Sequence, residues 1–194
     1  MKKNLAVQPY LFPMPVLIIG TYCEDGTPDA MNAAWGTICD MNSVVLYLSD
    51  GHKTVENIKK RRAFTVAVAD EKHLVPCDYV GLVSARVDKN KMAKSGFTIT
   101  KSATVDAPII EDLPFALECK LDYIDNKSGG VYGKIVNIIA DEQILTDGKP
   151  DITKLRPIFY DPSERCYFKS GEKAGVAFHD GAALKKINSL SFLF

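Results

Sequence analysis

Paired cysteine motifs, long apolar runs and any excess of one charge are missing from this sequence, and each gap removes a class of function. The five cysteines, Cys23, Cys39, Cys77, Cys119 and Cys166, are odd in number and widely spaced. They form no C-x-x-C pair and show no zinc-ligand spacing, which argues against a structural zinc site. Reduced thiols in a cytoplasmic protein fit this usage. His52, His73 and His179 lie far apart. No H-E-x-x-H, G-x-S-x-G, phosphate-binding Walker loop or G-x-G-x-x-G occurs, which argues against zinc hydrolases, serine hydrolases and Rossmann dinucleotide sites. The apolar run Val16 to Ile19 is far too short to cross a bilayer. The Met-Lys-Lys start, followed by Gln8, Pro13 and Pro15, lacks the form of a signal peptide. Lys+Arg and Asp+Glu are both 24. There is no basic surplus to neutralise phosphates, so a nucleic-acid partner is not expected. Zero net charge also gives little colloidal repulsion, which suits a chain that hides surface in an oligomer.

What is present is a β-rich chain. Its 194 residues and 46% hydrophobic content suit one domain, residues 1–194, with a full core. Val16 to Cys23 is β-branched and apolar and runs into Glu24-Asp25-Gly26, a turn signal. A second strand is expected over Asp29 to Thr37. Further strands follow at Val44 to Ser49, Phe64 to Ala69, Phe115 to Ile124 and Val131 to Ala140, the last two joined by a Gly-rich tip. Helices are few. Thr54 to Arg62 places Val55 and Ile58 at i, i+3 and gathers cations at its C-terminal end, where the macrodipole favours them. Leu74 to Leu82, Lys89 to Ser95 and Asp151 to Leu155 are shorter candidates. Without βαβ alternation, the pattern predicts an antiparallel barrel. The apolar tail Leu190 to Phe194 reads as a docking or ragged end.

Two segments stand out chemically. Met31-Asn32-Ala33-Ala34-Trp35-Gly36-Thr37 combines small side chains with the single tryptophan. Small residues let a flat ligand lie on the backbone; the plainer reading is a core strand with a packing Trp. Ser49-Asp50-Gly51-His52-Lys53-Thr54, followed by Asn57, ends a strand and starts a helix. A helix N-terminus offers free N–H groups and partial positive charge to a phosphate. The plainer reading is Thr54 capping its own helix. Cys39 beside Asp40 reads as a small strand-end residue, since nothing near it would lower its pKa.

An ordered set of pieces resembles the flavin-reductase-like FMN-binding split barrels, nearest the flavoredoxin branch. It includes Pro15, Asp25-Gly26, Met31-Asn32-Ala33-Ala34-Trp35, Lys53-Thr54, Asn57-Ile58, Phe64-Thr65-Val66 and Asp78-Tyr79-Val80-Gly81. Ala107-Pro108-Ile109, Leu117-Glu118-Cys119, Gly133-Lys134-Ile135-Val136 and Arg156-Pro157-Ile158-Phe159-Tyr160 continue it. The resemblance implies a six-stranded antiparallel split β-barrel with a few short helices. It implies FMN on the strand from Asn32 through Ala33, Ala34, Trp35 and Gly36 to Thr37. The phosphate would lie near Ser49, His52, Lys53, Thr54 and Asn57, with Gly81 and Ser84 in a loop beside the ring. It implies a homodimer sharing each pocket, and no metal. Where many members have a Ser/Thr-rich stretch, this chain has Ala33-Ala34-Trp35, so backbone contacts would replace side-chain ones there. The activity implied is FMN-dependent oxidoreduction, with NADH, NADPH or a redox partner protein as donor. A non-enzymatic electron carrier is the alternative, and a barrel without flavin is a third reading.

One consequence concerns the ligand. A helix start suited to one terminal phosphate, in a chain without a dinucleotide fingerprint, should favour FMN over both FAD and riboflavin. Titrations at fixed salt check this; riboflavin binding as tightly as FMN would contradict the phosphate argument.

Overall fold

In the computed structural model, residues 1–182, 184 and 185 are described; the apolar tail discussed above falls outside them. The strands are β1 (Met14–Pro15), β2 (Leu17–Tyr22), β3 (Pro28–Ala33), β4 (Gly36–Asp40), β5 (Ser43–Tyr47), β6 (Ala63–Val68), β7 (Ile99–Lys101), β8 (Pro108–Ile110), β9 (Phe115–Asp125), β10 (Gly130–Ala140), β11 (Leu145–Thr146), β12 (Lys149–Pro150), β13 (Ile158–Asp161) and β14 (Cys166–Lys169). The helices are α1 (Lys53–Arg61), α2 (Leu74–Leu82), α3 (Lys91–Ser95) and α4 (Ile152–Leu155). The main sheet is antiparallel and has 7 strands in the order β3-β2-β6-β9-β10-β5-β4.

Six strands were expected, and the seventh has a clear origin. The segment Asp29 to Thr37 is two strands, broken at Ala34 and Trp35, and its halves β3 and β4 form the opposite edges of the sheet. Seven flat strands would hold their edges about 29 Å apart at about 4.8 Å per step. The three Cα-to-Cα steps from Ala33 to Gly36 can span no more than about 11 Å. The sheet must therefore curl until its edges nearly meet. Glycine at position 36 makes the approach possible: a Cβ there would lie 2.7 Å from both Leu17 Cδ1 and Leu46 Cδ2.

Curling gives the sheet an inside and an outside. Along β2, Leu17 and Ile19 join the interior cluster with Leu46, Phe64 and Val131, whereas Ile18 joins the outer one, as side-chain alternation requires. Val55 and Ile58 of α1 close one end of the interior. The outer cluster contains Ile18, Ala30 and Ala67 beneath Cys77 and Val80 of α2 and Met92 of α3. The helices thus cover the outside of the β3-β2-β6 half.

The interior is tight at Gly133, where an added Cβ would stand 2.3 Å from Phe64 Cζ and 3.3 Å from Cys119 Cβ. Phe64 is fully buried and cannot swing away. Gly133→Ala should therefore destabilise the fold by about 1–3 kcal/mol through overpacking. Gly171, with nothing within 4 Å of a built Cβ, should tolerate Ala within about 0.5 kcal/mol. Urea unfolding of the two variants checks the contrast, which equal midpoints would refute.

Candidate functional site

The start of α1 lacks a side-chain cap. Its N-cap residue is His52, in extended conformation and with no capping hydrogen bond. Thr54 is the second residue of the helix and is buried, so the plainer reading, Thr54 as the cap of its own helix, does not hold. The His52 N–H is tied back to the Ser49 carbonyl at 3.0 Å, and the Val55 and Glu56 N–H groups both reach the His52 carbonyl. The N–H groups of Lys53 and Thr54 have no acceptor among the described residues. They belong to a helix of nine residues, long enough to carry a useful dipole.

This helix start opens onto a cavity of about 300 Å³, lined by Gly51, His52, Lys53 and Thr54 on one side and by Gly81, Leu82, Val83, Ser84 and Ala85 on the other. Thus His52, Lys53, Thr54, Gly81 and Ser84 are brought together as the sequence grouped them. Gly81 is there for a steric reason: a Cβ would meet Asn32 Cβ at 2.8 Å, so α2 rests directly on β3. The same contact fixes Asn32. Its Nδ2 donates to the Cys77 carbonyl at 3.1 Å, and Tyr167 nearby donates its hydroxyl to Asp78 at 2.7 Å. Burial, then the Asp78 carboxylate, pushes the Tyr167 phenol well above its ordinary value, so this tyrosine stays protonated.

Other expected residues fall elsewhere. Asn57 is fully buried and points into the body of the fold, where its Nδ2 donates to Thr21 Oγ1 at 3.1 Å. It ties α1 to β2, and its Oδ1 has no partner among the described residues. Ser49 lies at an exposed turn before the helix. Ala33, Ala34, Trp35, Gly36 and Thr37 form the seam between the sheet edges and do not line the cavity. Trp35 is 53% exposed, so it is neither a core residue nor part of a continuous strand. Its carbonyl accepts the Tyr47 N–H at 2.8 Å, which holds the seam against β5.

The charges around the helix start are partly spoken for. Lys53 Nζ lies 2.9 Å from Glu56 Oε1, and Arg86 reaches the other oxygen of the same carboxylate at 2.9 Å. The Lys53 hydrogen bond is the main reason the Glu56 carboxyl titrates below its ordinary range. Lys53 also borders a neighbouring hollow of about 520 Å³ that contains Arg86, Lys89 and the largely buried Cys23. Burial raises the Cys23 thiol above its ordinary value, and it pushes Cys77 and Cys119 up to about 12. None of these three is a thiolate nucleophile at neutral pH. Among the described residues no group of three or more His, Cys, Asp or Glu side chains could hold a metal.

Sequence reasoning missed the floor of the cavity. Lys91 and Asp29 both line it, and both are almost wholly buried, with Lys91 Nζ 3.0 Å from Asp29 Oδ1. Lys91 also donates to the Ala30 carbonyl. Lys91 stands in the run Asp88-Lys89-Asn90-Lys91 and Asp29 follows a proline at a strand start, so both look like ordinary surface charges in one dimension.

Residues 10–167 match the flavin reductase like domain, and the chain belongs to that family. Within it the chain is similar to the flavoredoxin of Desulfovibrio vulgaris (Miyazaki F), at 34% identity over 93% of this chain and 100% of that one, with a TM-score of 0.90. A flavoredoxin from Methanosarcina acetivorans shares the fold at 24% identity, over 94% of this chain and 100% of its own, with a TM-score of 0.85. So does an FMN-binding domain of a flavin reductases-like enzyme from Shewanella baltica OS155, at 22% identity over 84% of this chain and 88% of its own, with a TM-score of 0.76. Among curated proteins nothing matches.

The buried pair makes a stability prediction. Lys91→Met leaves the Asp29 charge without its partner and should cost about 3–5 kcal/mol, whereas replacing both members by apolar residues of similar volume should cost much less. Urea unfolding of the single and double variants measures this. Equal losses in the two would show that the pair contributes only bulk.

Proposed function

We propose that this chain binds FMN without a covalent bond and works as a flavin-dependent oxidoreductase, passing electrons between a reduced donor and a small acceptor or partner protein. The observation that carries the reading is the uncapped start of α1. Lys53 and Thr54, whose N–H groups have no acceptor among the described residues, line one cavity together with His52 and Ser84, in a chain of the flavin reductase like family. That donor set fits a phosphate: two aligned amides and a cation offer charge-assisted hydrogen bonds to a dianion. The flavin ring supplies the redox chemistry when bound. The residues of this chain bind and orient. In this reading the amides of Lys53 and Thr54 hold the phosphate, and Lys53 leaves Glu56 for it. The seam at Ala34, Trp35 and Gly36 offers small side chains and backbone groups to the ring.

The outer side of the β9-β10-β5-β4 half supports a homodimer. Leu46 and Val131 face the interior, so Tyr47 and Tyr132 face outward by alternation. Tyr123 stacks on Tyr132 with ring centroids 4.3 Å apart. Tyr47 and Tyr123 are exposed, and no helix of the described residues covers them. Exposed aromatic patches of this kind mark interfaces, and a two-fold contact would pair the patch with itself.

The likeness to a flavoredoxin favours a second reading, a non-enzymatic FMN carrier that draws electrons from another protein. Stopped-flow mixing of the flavin-loaded protein with NADH and NADPH separates the two: rapid bleaching supports the oxidoreductase, and none supports the carrier. For the binding itself, Lys53→Ala should weaken FMN by about ten- to a hundredfold if it meets the phosphate. An unchanged dissociation constant would mean that Lys53 serves only Glu56.

A further inference from the structure

Lys53 stands where two demands meet. It lines the cavity at the start of α1 and also borders the neighbouring hollow. Its ammonium is already held, 2.9 Å from Glu56 Oε1. Glu56 in turn serves three cations. Lys60 approaches the same oxygen at 3.6 Å, and Arg86 holds the other, Oε2, at 2.9 Å. Glu56 also lies in the first turn of α1, where a negative charge offsets the positive end of the helix dipole. It therefore opposes a phosphate twice, by occupying the ammonium and by offsetting the helix end. Arg86 is placed differently. It lies on a turn that Ser84 opens: the Val87 and Asp88 N–H groups reach the Ser84 carbonyl at 2.9 and 3.0 Å, and the Arg86 N–H reaches Ser84 Oγ at 3.3 Å. Ser84 lines the cavity, whereas Arg86 borders the hollow beside it.

From this arrangement we infer that Glu56 sets the affinity of the site for the flavin phosphate by competing for Lys53, and that Arg86 tunes the competition as a positioning residue. The inference rests on the FMN reading above. With the site empty, the carboxylate keeps Lys53 beside the helix. A phosphate at the amides of Lys53 and Thr54 offers the ammonium a second anion, and Lys53 changes partner. Arg86 makes the exchange easier. It stays on the far oxygen of Glu56, so the carboxylate is not left bare when Lys53 leaves, and its like charge weakens the hold on Lys53 beforehand. Its action on the phosphate runs through Glu56, since Arg86 faces the hollow and not the cavity. As the phosphate departs, Glu56 takes the ammonium back. A site built this way exchanges its flavin instead of retaining it permanently.

The test titrates the full chain with FMN and with riboflavin at about 0.15 M salt, where charges that do not touch are largely screened. Glu56→Gln, Arg86→Ala and the double variant form one cycle; Lys53→Ala with and without Glu56→Gln forms a second. Contacts between partly exposed charges are individually weak, so the expected changes are modest. Glu56→Gln should tighten FMN by about two- to fivefold, and Arg86→Ala should loosen it by a similar factor. The Arg86→Ala loss should largely disappear once residue 56 is Gln, and the Glu56→Gln gain should disappear once residue 53 is Ala. Riboflavin, which has no phosphate, should be unmoved throughout. An Arg86→Ala loss that is equal in both backgrounds would place Arg86 on the phosphate directly and overturn the inference. So would a Glu56→Gln variant that binds FMN more weakly, or a gain that survives Lys53→Ala. A wild-type chain that binds riboflavin as tightly as FMN would instead overturn the phosphate reading beneath it.

Discussion

Two residues, Ala34 and Trp35, set the shape of this molecule. They carry the chain from one edge of a seven-stranded sheet to the other, and a link that short cannot bridge a flat sheet. Once the sheet curls, the interior must be filled by one alternating set of side chains and the outer face covered separately. Leu17, Ile19, Leu46, Phe64 and Val131 meet the first demand; α2 and α3 meet the second on one half only. The uncovered half, with its tyrosines, follows from the same closure.

The candidate site is another consequence. α1 closes one end of the interior through Val55 and Ile58, which directs its free N-terminus outward. α2 is pressed on β3 at the Gly81–Asn32 contact, so the loop after it, Val83 to Ala85, lies across from that N-terminus. Beneath both, the buried Lys91–Asp29 pair joins α3 to β3. The cavity is therefore bordered by elements that are each fixed by packing elsewhere, the condition under which a binding geometry holds its shape.

Much of this could be read in one dimension. The strands from Val16, Val44 and Phe115 were visible because their runs end in Asp-Gly or Gly-rich turns, that from Val131 because it follows such a turn, that from Phe64 by its β-branched and aromatic residues, and α1 because its apolar spacing and terminal cations agree. The split of Asp29 to Thr37 was not visible. Ala34 and Trp35 are compatible with a strand, and only the closure of the whole sheet makes them a crossing. At the site, the grouping of His52, Lys53 and Thr54 with Gly81 and Ser84 was legible from the family resemblance rather than from spacing. Asn57 carries no local sign of which way it points; its position on the buried side of α1 decides that. Lys91 and Asp29 are 62 residues apart, and nothing in either neighbourhood signals burial.

The claim at the centre of this account is that the free amides at the start of α1 receive a phosphate. A ¹H–¹⁵N NMR titration addresses it directly, comparing FMN with riboflavin, which has the same ring and no phosphate. The account predicts that the Lys53 and Thr54 amide resonances move strongly downfield with FMN and stay nearly in place with riboflavin. Resonances that remain unmoved while FMN binds, or that respond equally to both flavins, would contradict it.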